Sequence, residues 1–412
     1  MGYQVIRNFQ YDYLGQSYAL VYPNLHKYPA TMLPQIGIDI LREFTKLRGS
    51  LLDPYCGSGS SFASGLECGF SEMEGYDLNP LAALISKVKF TKISIDDLTK
   101  TQQIFRNNIY DFLKDENNIK NLKRPHSITN IEFWFSKQVV DNLTTIKYFI
   151  DRIKEADIKD FFFIPFSETV RECSYTRNNE FKLYRMKSED ILNFNPDVIG
   201  VFFKKLSETI DLYVNFYLPK LSKSKVKVKV YASNFTPQNK LFDVVLTSPP
   251  YGDSRTTVAY GQFSTFTNEW LGIKNARKID QILMGGGKKG YILTDGIIAD
   301  YITQISKIDY KRALDVSAFY NDLQNSIQKV AASVNKYGKI IYVVGNRTVK
   351  TVLLPTDQFI AEKFEENGCK HIITYERSIS NKVMPNKNSP TNKCGKTMNT
   401  MLYEYIVVCE KK

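Results

Sequence analysis

Ser248-Pro249-Pro250-Tyr251 follows directly on the apolar run Phe242-Asp243-Val244-Val245-Leu246-Thr247. A strand therefore delivers four residues to its carboxyl end, where open α/β sheets bind ligands. Two consecutive prolines cannot continue a ladder, so the carbonyls of Ser248 and Pro249 are held in set directions. An exocyclic amine on a nucleobase is a poor nucleophile, because its lone pair is delocalised into the ring. Acceptors fixed on its N–H hydrogens favour a pyramidal nitrogen, free the lone pair and stabilise the positive charge that develops on attack. The Ser248 hydroxyl and the Pro249 carbonyl are the candidate acceptors, and the Tyr251 ring suits stacking on a base rotated out of a helix. Taken alone, the tetrapeptide is equally a strand-ending turn.

A second constellation lies upstream. Asp53-Pro54-Tyr55-Cys56-Gly57-Ser58-Gly59 sits where a strand ends and a helix begins. Glycines there let the backbone approach a ligand, and the helix N-terminus offers N–H groups to a carboxylate or phosphate. Asp77 follows about twenty residues later at the end of the next strand, a position that accepts hydrogen bonds from ribose hydroxyls. A dinucleotide or S-adenosylmethionine would satisfy this arrangement. The third glycine of a dinucleotide fingerprint is Phe62 here, which counts against a nicotinamide cofactor.

The elements that must position these residues show as a change of period. Apolar positions from Ile36 to Leu47 recur at helical spacing, Gly49 to Asp53 is a strand, Ser60 to Gly69 a helix and Glu72 to Tyr76 a second strand. Pro80 to Lys87 begins the next helix. This order starts a mostly parallel, doubly wound sheet of the α/β class. Sheet texture returns at Val226 to Tyr231, at Phe242 to Thr247 and, after a helix from Val316 to Val334, at Lys339 to Val344. A helix from Phe359 to Asn367 precedes strands at His371 to Tyr375 and Tyr403 to Cys409, expected as antiparallel neighbours at the sheet edge. From Ile93 to Lys220 the period is helical. The chain is accordingly divided into 1–92 with the ligand loop, a helical insertion over 93–220, and 221–412 with the Ser-Pro-Pro-Tyr segment.

With these pieces in place the sequence resembles the amino-methylating DNA methyltransferases that act on cytosine N4 or adenine N6. His26-Lys27-Tyr28-Pro29-Ala30 is similar to their N-terminal cofactor motif, Asp53 to Gly59 to their Asp-Pro-Phe-x-Gly-Ser-Gly motif, and Asp77-Leu78-Asn79-Pro80-Leu81-Ala82 to their ribose-binding strand end. Ser248 to Tyr251 resembles the catalytic motif, and Gly252 to Thr257 with Tyr260 to Ser264 its extension. The resemblance implies a Rossmann-like fold, S-adenosylmethionine as cofactor and duplex DNA as substrate, with a cognate restriction endonuclease as a partner. One departure stands out. The family usually carries Gly-Asp before the catalytic strand, whereas this chain reads Ala232-Ser233-Asn234-Phe235, leaving Asn234 to address the cofactor adenine.

A serine opening the catalytic motif is more usual among the N4-cytosine members, so cytosine is favoured; adenine N6 is the alternative and an RNA base the more remote one. Methylation at C5 needs a cysteine nucleophile, and no Pro-Cys segment exists. For DNA contact the candidates are Arg171, Arg177, Lys182 and Arg185, interleaved with Tyr175 and Tyr184 in the insertion. Arg255 lies just beyond the catalytic motif, Lys288 and Lys289 in a glycine-rich loop expected to be mobile, and Lys382, Lys387, Lys393 and Lys396 near the C-terminus.

Composition sets the outer bounds. The 412 residues are 43% hydrophobic, enough for one large domain with insertions, and the net charge of +12 favours a polyanionic partner. Six cysteines without a C-x-x-C pair, and histidines only at 26, 126 and 371, argue against a metal centre or a disulfide framework. With neither an apolar leader nor a membrane-length run, the chain reads as cytoplasmic and unattached to membrane.

Overall fold

Consecutive residues on the central strands face opposite apolar layers, and both layers are buried. Leu51, Val244, Leu246, Ile341, Val343, Ile406 and Val408 enter one core, while Leu52, Val245, Ile340, Tyr342, Val344, Val407 and Cys409 enter the other. A sheet covered on both faces tolerates such near-continuous apolar strands. The computed structural model describes residues 2–15, 21–29, 31–46, 48–125, 128–178, 181–253, 259–287, 290–379, 387–388, 398–399 and 401–412.

Among the described residues eight strands form the main sheet: β1 (Val5–Arg7), β2 (Ser50–Asp53), β3 (Glu72–Tyr76), β4 (Lys227–Tyr231), β5 (Phe242–Thr247), β6 (Val334–Val344), β7 (Cys369–Ser378) and β8 (Tyr403–Lys411). Their spatial order is β1-β7-β8-β6-β5-β2-β3-β4. All pairings are parallel except those of β8, which runs antiparallel to both β6 and β7. Counted from β2, the run β4-β3-β2-β5-β6 has the 3-2-1-4-5 order of a doubly wound sheet, with its switch point between β2 and β5.

Contrary to the edge position that the sequence suggests, the antiparallel C-terminal strand lies inside the sheet, and β1 takes the edge. Ile406, Val407, Val408 and Cys409 are all essentially unexposed, as a strand flanked on both sides and covered on both faces requires.

The helices that carry site residues are α1 (Pro34–Phe44), α2 (Ser60–Glu67) and α3 (Pro80–Phe90). Proline at the first turn and the Asn79 side chain, which accepts from the Leu81 amide, start α3 where Asp77 ends the strand. Within 93–220 the long helices are α4 (Ile95–Leu113), α5 (Lys137–Ile150), α6 (Ala156–Glu172) and α7 (Val198–Leu212). Their described buried residues belong to the same apolar layer as one face of the sheet. Phe105, Phe162 and Phe202 pack together, and Tyr217 closes on Phe90 of α3 at 6.0 Å, joining these helices to one face of the sheet. Beyond β5 come α8 (Tyr260–Trp270), α9 (Tyr310–Ala331) and α10 (Thr356–Glu366).

Candidate active site at the carboxyl ends of the central strands

The glycine loop and the Ser-Pro-Pro-Tyr turn leave adjacent strands at the switch point, and one residue ties them together. Asp53 ends β2 and is almost fully buried. One carboxylate oxygen accepts from the Tyr55 amide at 2.9 Å and from the Thr247 hydroxyl at 2.5 Å, while the other accepts from Ser61 on α2. Burial pushes this carboxyl up to about 6 despite those three bonds. With its oxygens engaged by the protein, Asp53 fixes the loop against the end of β5.

Gly57 (φ +49°) and Gly59 (φ +87°) both adopt left-handed backbone. A Cβ on Gly59 would fall 2.7 Å from Ser86 Oγ and 2.8 Å from Phe90, so only glycine lets α2 pack onto α3 there. A Cβ on Gly57 would meet nothing closer than 4.0 Å, so this part of the loop faces open space. Asp77 accepts from the amides of Gly57 at 3.0 Å and Asn79 at 2.8 Å, one on each oxygen, leaving lone pairs on both. Burial raises its carboxyl to about 6 over the opposing pull of those amides, although part of the residue still meets solvent. The Ser58 hydroxyl in the same loop is buried without a hydrogen-bond partner.

Tyr28 and Pro29 are buried over this loop, and Ala30 lies outside the described residues. The Tyr28 ring stacks on Tyr260 at 5.9 Å, and its hydroxyl accepts from Asn79 Nδ2 at 3.0 Å. Asn79 also donates to Ser264 at 2.9 Å and accepts from Asn268 at 3.1 Å, both on α8. It thus joins the N-terminal segment, the acidic strand end and α8, a role that sequence spacing does not reveal. Pro54 is buried behind the loop, Tyr55 bonds Ser326 on α9, Leu78 is half-buried, and Asn234 is exposed just beyond β4 on the same carboxyl edge.

Ser248 is half-buried, Pro249 buried and Pro250 half-buried. Ser248 Oγ donates to the Tyr251 hydroxyl at 3.3 Å, which donates to Glu404 on β8 at 3.0 Å. Burial first, and then Glu404, hold the Tyr251 hydroxyl protonated far above its ordinary range. Gly345 lies beneath the ring: a Cβ there would approach Tyr251 Cδ2 to 2.9 Å and overlap the Met401 sulfur. Two residues further on, Asp253 is buried and accepts from Arg312 of α9 at 2.7 Å and from Arg347 after β6 at 2.8 Å. Burial alone would raise that carboxyl, but the two guanidiniums outweigh it and hold it at about 2.

Among the basic candidates, Arg177 is exposed on a short hairpin closed by the Thr176–Arg185 bridge. The hairpin rests on α8: the Leu183 amide meets Gln262, and Phe181 lies 6.5 Å from Phe263. Phe181 and Tyr184 are about half exposed there, and Arg185 is stacked over Phe133. Arg171, by contrast, is not on the surface that DNA could reach. It is buried, donates to the Phe263 carbonyl and lies over the Phe263 ring, because it is on the core side of α6. Arg255, Lys288, Lys289, Lys382, Lys393 and Lys396 lie outside the described residues, as does the Lys387 side chain. The expected looseness of the glycine-rich loop does not extend to Gly285 and Gly286, which pack closely against Asp253, Phe319 and the 280–281 backbone.

A doubly wound sheet with an inserted antiparallel strand, a glycine loop and a Ser-Pro-Pro-Tyr turn at its switch point defines a Rossmann-like methyltransferase. Over 411 residues the chain is 38% identical to the type II methyltransferase M.MvaI of Kocuria varians, covering 93% of this chain and 89% of that protein. It is 23% identical over 219 residues to the type II methyltransferase M.MjaII of Methanocaldococcus jannaschii, 53% of this chain and 39% of that one. The rRNA methyltransferase AviRa of Streptomyces viridochromogenes is 11% identical, with 100% of this chain and 96% of that one covered, but its TM-score of 0.30 decides nothing. No family model matches the sequence. The chain belongs to the type II DNA methyltransferases. No helix of the described residues is long and apolar enough to cross a membrane.

Proposed function

We propose that the protein methylates the exocyclic N4 of a cytosine rotated out of duplex DNA, at a specific sequence, using S-adenosylmethionine. The Thr247–Asp53 bond, which locks the Ser-Pro-Pro-Tyr turn beside the glycine loop, is the observation that carries methyl transfer to a base amine, and Ser248 at the head of that turn favours cytosine N4 over adenine N6. The partnerless Ser58 hydroxyl, the open face of Gly57 and the remaining acceptor capacity of Asp77 fit a polar nucleoside-containing ligand. Gly57, Ser58 and Gly59 would hold its charged amino-acid end, Asp77 and Leu78 its ribose, and Asn234 its adenine, with Tyr28 and Pro29 closing over it. When bound, S-adenosylmethionine supplies an electrophilic methyl group on a sulfonium sulfur.

The chain's own residues do the rest. Ser248 Oγ and the Pro249 carbonyl accept the two amine hydrogens and so direct the nitrogen lone pair out of the ring plane. Pro250 keeps those acceptors rigid, and the Tyr251 ring stacks on the displaced base. Arg177, beside Phe181 and Tyr184 on the hairpin over α8, contacts DNA; Arg255, Lys288 and Lys289 are assigned the same role. Residues 93–220 are proposed to read the target. The type II designation of both relatives supports a restriction endonuclease acting on the same site.

Ser248→Ala and Tyr251→Ala should each bind cofactor as the wild type does and lose about 100-fold or more in turnover. Undiminished turnover in both would remove the catalytic assignment.

A further inference from the structure

The Ser248–Tyr251 bond continues into the sheet in a way the methyl-transfer motif does not require. Tyr251 Oη donates to Glu404 Oε1 at 3.0 Å, and Glu404 Oε2 receives Arg377 Nη1 at 2.5 Å. Arg377 Nε in turn donates to the Tyr11 carbonyl at 2.7 Å. Glu404 on β8 and Arg377 on β7 are 4% and 2% exposed, so the pair is shut away from solvent. Direction along this chain follows from chemistry. A carboxylate paired with a guanidinium can only accept, so Tyr251 must donate to it. With its proton committed, the Tyr251 oxygen accepts from Ser248, and the Ser248 proton points away from the base.

We infer that Glu404 is a positioning residue that, through Tyr251, orients the Ser248 hydroxyl so that only its lone pairs face the target amine. The inference rests on the proposed acceptor role of Ser248. Unoriented, a hydroxyl can turn its hydrogen toward the amine, competing for the lone pair that must attack. Neither partner is near Ser248 in sequence: Glu404 and Arg377 are brought there by the antiparallel insertion of β8 between β6 and β7.

Glu404→Gln makes a sharper test than truncation. Arg377 needs an acceptor, so the amide oxygen stays on Arg377 and the amide NH2 faces Tyr251. The chain then reverses: Tyr251 accepts from the amide, donates to Ser248, and Ser248 turns its proton toward the base. Tyr251→Phe keeps the stacking ring but removes the relay.

The measurement is single-turnover methylation of duplex DNA at saturating S-adenosylmethionine, with cofactor affinity determined by equilibrium binding. Tyr251→Phe should lose roughly tenfold, the worth of one hydrogen bond, and Glu404→Gln about 100-fold, with cofactor affinity unchanged in both. Because reversal acts only through Tyr251, adding Glu404→Gln to Tyr251→Phe should change the rate by no more than about twofold. A Tyr251→Phe rate equal to wild type overturns the inference, and does so even if Glu404→Gln fails to fold. So does a full Glu404→Gln loss that persists in the Tyr251→Phe background. Ser248→Ala separates the two levels: an unaltered rate there overturns the acceptor role itself, whereas a large loss beside an inert Glu404→Gln overturns only the relay.

Discussion

Replacing Asp253 by Asn should strongly destabilise the protein at neutral pH. The Asp253 side chain is 2% exposed, and the two guanidiniums it accepts from, Arg312 and Arg347, are 12% and 16% exposed. A carboxyl held at about 2 rather than 3.8 carries roughly 2 kcal/mol of pH-linked stability. Because the folded value lies below the unfolded one, that contribution is present above about pH 4 and is lost as the pH falls toward 2. The substitution removes it at neutral pH and leaves two poorly solvated guanidiniums without their shared anion, so the expected cost is about 3–5 kcal/mol. The assay is urea unfolding of wild type and Asp253→Asn at pH 7, repeated at pH 3, where the difference should shrink. A loss below about 1 kcal/mol at pH 7, or one equally large at pH 3, would show that the Asp253 charge does not anchor the two guanidiniums.

Asp53 carries the opposite sign: burial lifts its carboxyl to about 6, so its contribution is complete below about pH 4 and lost as pH rises through 6. Asp53→Asn should therefore gain up to about 3 kcal/mol relative to wild type between pH 4 and pH 7 in chemical denaturation, and parallel profiles would contradict this. Gly59→Ala combines a φ of +87° with contacts under 3 Å to Ser86 and Phe90. It should cost about 2–4 kcal/mol in unfolding free energy and weaken cofactor binding; wild-type stability would show that the loop adapts. Arg177→Ala should weaken duplex binding and reduce the salt-dependence slope by about one, leaving cofactor affinity untouched. An unchanged slope would remove Arg177 from the DNA surface.

The parts of this molecule that were legible in the sequence are those whose partners are close in the chain. The loop from Asp53 to Gly59 and the turn after Thr247 each declare a strand end by residue type alone, and Asp77 follows from the length of one helix. Longer-range partners were not legible. Nothing in Asp253 points to Arg312 or Arg347, 59 and 94 residues away, nor in Tyr251 to Glu404, 153 residues away. The place of Arg171 in a basic, aromatic stretch says nothing of the side of α6 it occupies, which is decided by packing on Phe263. The interior position of β8 did have a signal. Ile406 to Cys409 lacks the polar alternation of an edge strand, and that run outweighs its place at the end of the chain. The three-residue β1 carries too little pattern to be recognised at all.

The role proposed for Ser248 and the Pro249 carbonyl is to hold a cytosine amine for methylation. Its most direct test is nucleoside mass spectrometry of duplex DNA incubated with the protein and methyl-labelled S-adenosylmethionine. Labelled N4-methylcytosine confined to one sequence context is the expected product. Label on adenine N6, on ring carbon 5 of cytosine, or on no base at all would contradict it.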